Sequence, residues 1–195
     1  MTDTIDRLAG IAPGSALEKI RAGRPAARDH AEASHRALLS PDAPGDVSLA
    51  ERFAVARFVA GLHGAPEAVA LYAAGLAQHG GAALAEAVAQ AAAATAATGP
   101  RGAFPPGPLS AEDSPAPGFA LPPAVAALLG AKLATAFAYA HFLVFHPRDA
   151  APERFAPLQA AGWTPDGLVT LSQLVAFLAF QIRVAAGLRV LATTP

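Results

Sequence analysis

The chain of 195 residues has no cysteine. Disulfides, thiolate metal sites, iron–sulfur clusters and every cysteine nucleophile are therefore excluded together. Charge is sparse, at 15% of residues, and nearly balanced: fourteen basic against fifteen acidic side chains leave a net charge of −1. With no run of Lys or Arg, the chain lacks the basic footprint of a phosphate-backbone binder, and nucleic acid is set aside as a partner. Aromatics make up only 7%, with one Trp and one Met. The N-terminus, MTDTIDRLAG, has no basic stretch followed by an apolar run, so a cytoplasmic location is expected.

What the chain does have is apolar residues, 53% in all, and alanine supplies more than half of them. A core poor in side-chain volume has to come from close approach of backbones, and this length can bury one without staples. Mean hydropathy is +0.36. Ala124–Phe145 is long enough, at roughly 20 residues, to cross a bilayer. Lys132 in its middle, His141 near its end and its alanine content argue for a core helix and no membrane span.

No stretch alternates apolar and polar residues, so the chain reads as all-α. Short helices are expected at Asp3–Leu8 and at Ser15–Arg21 with Ser15 as cap. Pro25 opens a polar helix to Leu39, and SPDAPGD is a turn. Ser48 and Glu51 have capping-box spacing ahead of a helix from Leu49 to Leu62, with Glu51 and Arg52 at its polar entrance. Pro66 and Glu67 open the next helix, which runs to His79 before Gly80–Gly81, and Ala82–Thr98 is nearly pure alanine. Gly99–Pro123 is too rich in Pro and Gly for a helix. A long helix to Phe145, a short one over Pro152–Ala161 and a last one over Asp166–Leu191 with Thr164–Pro165 at its start complete the chain. This divides it into an N-terminal helical extension (1–47), a first helical lobe (48–98), a Pro/Gly-rich crossover (99–123) and a second lobe (124–195). The last helix is apolar on most faces and suits burial in the bundle or in a subunit interface.

Across Leu49–Tyr72 the chain contains AERFAVARFVAGLHGAPEAVALY, a helix, a tight Gly turn and a second helix. This arrangement resembles the core of the alkylhydroperoxidase D and carboxymuconolactone decarboxylase-like (CMD-domain) family. The closing AAGWTPDGLVTLSQLVAFLAFQIRVAAGL is similar to that family's last helix, with Phe180 and Arg183 near its Asn-x-x-x-Arg-like element. IDRLAGIAPGS and RPAARDHAEASHRALL look like a peroxidase-related subgroup. The resemblance implies a bundle of two similar helical lobes that assembles into oligomers. It also implies a turn at His63-Gly64, cysteine places at Ala65 and Ala68, a histidine place at Tyr72 and a glutamate place at Phe53, so all four redox positions are changed.

Alanine cannot replace a peroxidatic thiolate. The altered centre becomes an apolar patch of Phe53, Ala65 and Ala68, edged by His63, Glu67 and Tyr72, suited to a small apolar ligand or to filled core. His63 can act as acid or base near neutrality or cap a helix end; Tyr72 can orient a substrate or be a buried phenol; Glu67 can serve catalysis or complement a helix dipole. His141 and His146, like His30 and His35, are five apart, roughly 140° around a helix, which does not suit shared metal ligation. No metal and no cofactor are expected. Arg183 in an apolar helix needs a partner, and Glu51 is the candidate ion pair. Three functions stand open: a CMD-like protein without its thiol centre that binds an apolar ligand or partner subunit, a non-thiol enzyme using His63, and a homo-oligomeric scaffold.

Overall fold

A computed structural model describes residues 3–193. It is all-α: α1 (Thr4–Ala9), α2 (Ala16–Ala22), α3 (Pro25–Leu39), α4 (Leu49–Leu62), α5 (Pro66–Ala94), α6 (Pro123–Phe145), α7 (Ala156–Ala160) and α8 (Pro165–Thr193). No sheet forms among the described residues, where a lone bridge joins Gly102 and Ser114 inside the crossover. The capping box is made, with Ser48 Oγ accepting from the Glu51 amide at 3.3 Å and Glu51 Oε2 accepting from the Ser48 amide at 2.8 Å. Ser15 and Thr164 likewise accept from the first turns of α2 and α8.

Helices on both sides of the crossover feed one contiguous buried cluster. Phe58 of α4 stacks on Phe137 of α6 at 4.2 Å between ring centroids, beside Tyr72 and Leu76 of α5 and Leu171, Leu174 and Leu178 of α8. Close approach is built from small residues. A Cβ placed on Gly75 would lie 2.3 Å from the Phe53 ring, and one on Gly61 would lie 2.7 Å from Ala92.

Two glycines redirect long helices. Gly81 (φ 77°, ψ 172°) breaks α5 where the Gly pair was expected to, and Gly130 (φ 70°, ψ 168°) breaks α6, which the sequence reads as unbroken. Side chains of L-residues do not tolerate that region. Below the second break, Lys132 accepts from the Trp163 indole through its carbonyl at 2.9 Å and pairs with Glu51 at 2.8 Å through its ammonium. The expected Glu51–Arg183 pair is thus not formed: Glu51 faces α6, whereas Arg183 is exposed on α8.

Polar ties close the remaining corners. Asp3 and Asp6 meet Arg21 and Arg28, joining α1 to α2 and α3. Arg52 is buried, not at a polar entrance. Its guanidinium donates to the carbonyls of Val47, Leu38 and Pro44 at 2.7–2.8 Å, which the α3–α4 loop would otherwise leave without donors. Pro123–Phe145 and Pro165–Thr193 are long and apolar enough to cross a bilayer by length and composition; 56% of the most apolar stretch of the first is buried in the fold, and 33% of that of the second.

The glycine kinks generate a stability prediction. Gly130→Ala forces an alanine into a glycine-only backbone region and is expected to cost about 1–3 kcal/mol. Chemical denaturation measures it, and a variant as stable as the parent would show that the kink relaxes at no cost.

Candidate functional site

The turn between α4 and α5 is set by Gly64 at φ 60°. Its amide donates to Gly61 O at 3.0 Å and the Ala65 amide donates to Ala60 O at 3.2 Å, the paired closure of a Schellman helix end. His63 therefore occupies the C-cap of α4. From this turn α5 starts with Ala65, Ala68 and Tyr72 buried on one face. They face α8 and α1: Ala65, Ala68, Ile182, Ala185 and Leu8 line a hollow of only about 10 Å³. That is room for about one water molecule, against about 300–1,000 Å³ for a ligand pocket. The patch has no room for a ligand, and its rim carries Glu67, which pairs with Arg189 of α8 at 3.0 Å.

Phe53 does not belong to this patch. It lies over Gly75 and stacks on His79 at 5.4 Å, so the apolar ligand site expected from Phe53, Ala65 and Ala68 together is not assembled. A Phe on that face of α4 meets the part of α5 beyond Tyr72, because the two helices run antiparallel from the Gly64 turn.

Tyr72 is fully buried and donates its hydroxyl to Gln181 Oε1 of α8. The same amide reaches His35 of α3 through Nε2, 3.3 Å from Nδ1. His35 also stacks on Tyr72 and tilts against Phe177. Gln181 thus bridges α5 and α3, and its donation requires an unprotonated Nδ1 on His35. Burial first, and then Arg7 and Arg36 against the opposing pull of Glu32, holds His35 below its ordinary pKa. Burial pushes the Tyr72 phenol well above the usual range, so it stays a neutral donor. The arrangement holds no nucleophile; it connects three helices. His35 and Gln181 were missing from the sequence-level site. Their signal was a polar residue inside a buried stripe: His35 with Ala31 and Leu39, Gln181 with Leu174, Leu178 and Ala185.

His63 is held at about 4 by burial and, second, by the charge of Arg183, and its Nε2 is buried with no hydrogen-bond partner. It is separate from the Tyr72 chain of hydrogen bonds. His141 is buried with Nε2 3.1 Å from Thr95 O, and His146 Nδ1 lies 3.2 Å from Asp149 Oδ2. No group of three or more His, Asp or Glu side chains is arranged to hold a metal among the described residues. Larger hollows lie elsewhere: an open groove of about 740 Å³ bordered by Asp3, Arg28, Glu32 and Arg36, and one of about 360 Å³ over Tyr139, Phe142, Arg154 and Leu158. Comparison with protein-family models, with curated proteins and with solved structures returned no match to the chain.

Two predictions follow from these contacts. Tyr72→Phe leaves the Gln181 oxygen buried without its donor and is expected to lower stability by about 1–3 kcal/mol; Tyr72→Phe combined with Gln181→Leu is expected to cost less than the sum of the single changes. Urea titrations of the four proteins check this, and strict additivity would show that the two groups are not coupled. The second concerns pH. With His63 at about 4 in the fold against an ordinary 6.5, the unfolded chain takes up a proton that the folded chain refuses. The associated stability is intact above pH 6.5 and is lost as pH falls toward 4. Thermal melts across that window are expected to show a shallower loss for His63→Gln than for the parent, and equal slopes would remove His63 as a contributor.

Proposed function

We propose that this chain is a CMD-like helical module that has given up thiol chemistry and works in the cytoplasm by binding another protein chain. The observation that carries the reading is the lack of room for a ligand at Ala65 and Ala68. The places that would hold the two thiols carry methyl groups around a space of about 10 Å³, and the place of the proton-shuttling histidine carries Tyr72, committed to Gln181. A peroxide needs both a thiolate and room beside it. Burial of Tyr72, Gln181 and His35 between α3, α5 and α8 supports a rigid scaffold in place of a reaction centre. A small apolar molecule, the other binding role, fits better over Tyr139 and Phe142 than at the altered centre.

One observation favours a second reading, a non-thiol enzyme of the decarboxylase or peroxidase-related type. His63 is neutral and keeps a buried Nε2 unpartnered, as a base waiting for a proton would. If it is that base, His63→Ala abolishes the activity; unchanged activity removes the reading.

The lead is tested by hydroperoxide consumption with a dithiol reductant, a cysteine-containing family member serving as the positive control. The expected result is no turnover above the protein-free rate. Clear turnover would overturn it.

A further inference from the structure

Between Val169 and Val190 of α8 the exposed positions are Val169, Gln173, Ala176, Phe180, Arg183, Gly187 and Val190, in alternating steps of four and three residues. The complementary positions Leu171, Leu174, Leu178, Ile182 and Ala185 are buried in the chain's own core. A 3.5-residue period on a solvent face is the spacing of a helix that receives another helix. The stripe is apolar where it is most open: Val169 is 56% exposed, Phe180 49% and Val190 66%. Its single charge, Arg183, has no hydrogen-bond or ion-pair partner among the described residues.

The stripe is complementary to itself. Laid antiparallel on a second α8, Phe180 meets Arg183 of the partner subunit and, by two-fold symmetry, Arg183 meets the partner's Phe180, a guanidinium over an aromatic face at both contacts. In the same register Ala176 meets the partner's Gly187, twice, so small residues fall where two backbones must come close. In this register residues 170–193 of the two helices overlap over about 36 Å, and half of that helix surface, about 16 Å wide, offers about 580 Å² per protomer. A standard interface takes about 800 Å² from each partner. A bilayer is the poorer occupant. Arg183 and Gln173 lie within the stripe, and an arginine at the centre of a membrane is costly on insertion scales.

We propose that two copies of this chain associate through antiparallel α8 helices, with Phe180 of each stacked on the other's Arg183. The proposal rests on the partner-binding reading above and names the partner as a second copy. Sedimentation velocity of the full chain at micromolar concentration is expected to give twice the 19.6 kDa chain mass. Phe180→Lys sets like charges across the seam and is expected to return the mass to one chain, with circular dichroism unchanged. Because the chain has no native cysteine, Ala176→Cys with Gly187→Cys gives a clean probe of register. On oxidation the double variant is expected to form a covalent dimer, and neither single variant is. A monomeric parent, a dimer indifferent to Phe180→Lys, or cross-linking by either single variant would overturn the proposal. So would a monomer that floats with phosphatidylcholine–phosphatidylglycerol vesicles, which would give the stripe to lipid. Hydroperoxide turnover would end the functional reading with the dimer still standing, and a monomer without turnover would end only the dimer.

Discussion

The hydrogen bond from Tyr72 to Gln181 is the interaction around which the rest of the molecule is arranged. It spans 109 residues of sequence and is sealed from water. Most of the core is alanine and leucine, which pack in many nearly equivalent ways; a buried phenol has one acceptable partner. By fixing α5 against α8, and through His35 both of them against α3, it selects one packing from the many that alanine-rich helices permit. The small hollow at Ala65 and Ala68 follows from the same bond, since α8 is held too close for a ligand to enter.

The helices were legible because Pro and Gly punctuate this sequence so heavily. Pro25, Pro66 and Pro165 start helices in the first turn, Ser15, Ser48 and Thr164 accept from first-turn amides, and Gly64 ends one with a left-handed residue. These are local signals, readable without knowing the fold. The kink at Gly130 was not readable, because an isolated glycine in a helical pattern is as often a packing residue as a break. Trp163, 31 residues further along the chain, donates to the Lys132 carbonyl just beyond the bend, a contact that no local pattern announces.

The site was less legible than the fold. Spacing located the α4–α5 turn, its glycine and the face carrying Ala65, Ala68 and Tyr72. Which side chains from other helices complete that face is a tertiary fact. Phe53 was assigned to the patch by position in a motif, and its ring went to Gly75, where the absence of a side chain leaves room for it. Glu51 was the candidate partner of Arg183, but it pairs with Lys132 of α6, 81 residues away in sequence. Gln181 and His35 pair across 146 residues, and no local pattern couples them.

The latch at Arg52 differs in kind from the other polar ties. Its three partners are backbone carbonyls, which do not titrate, and a guanidinium keeps its proton throughout the accessible range. The cluster that holds α1 to α2 and α3 depends instead on carboxylates. Burial works against the charge of Asp3, and hydrogen bonds from Arg21, the Asp6 amide and Arg28 overcome it, holding its carboxyl below the usual range. His35, which must stay neutral to accept from Gln181, is the most easily disturbed of the three. Protonation of His35 would therefore break its contact with Gln181 and loosen α3 from α8, whereas the corner between α3 and α4 is a proton-blind hinge.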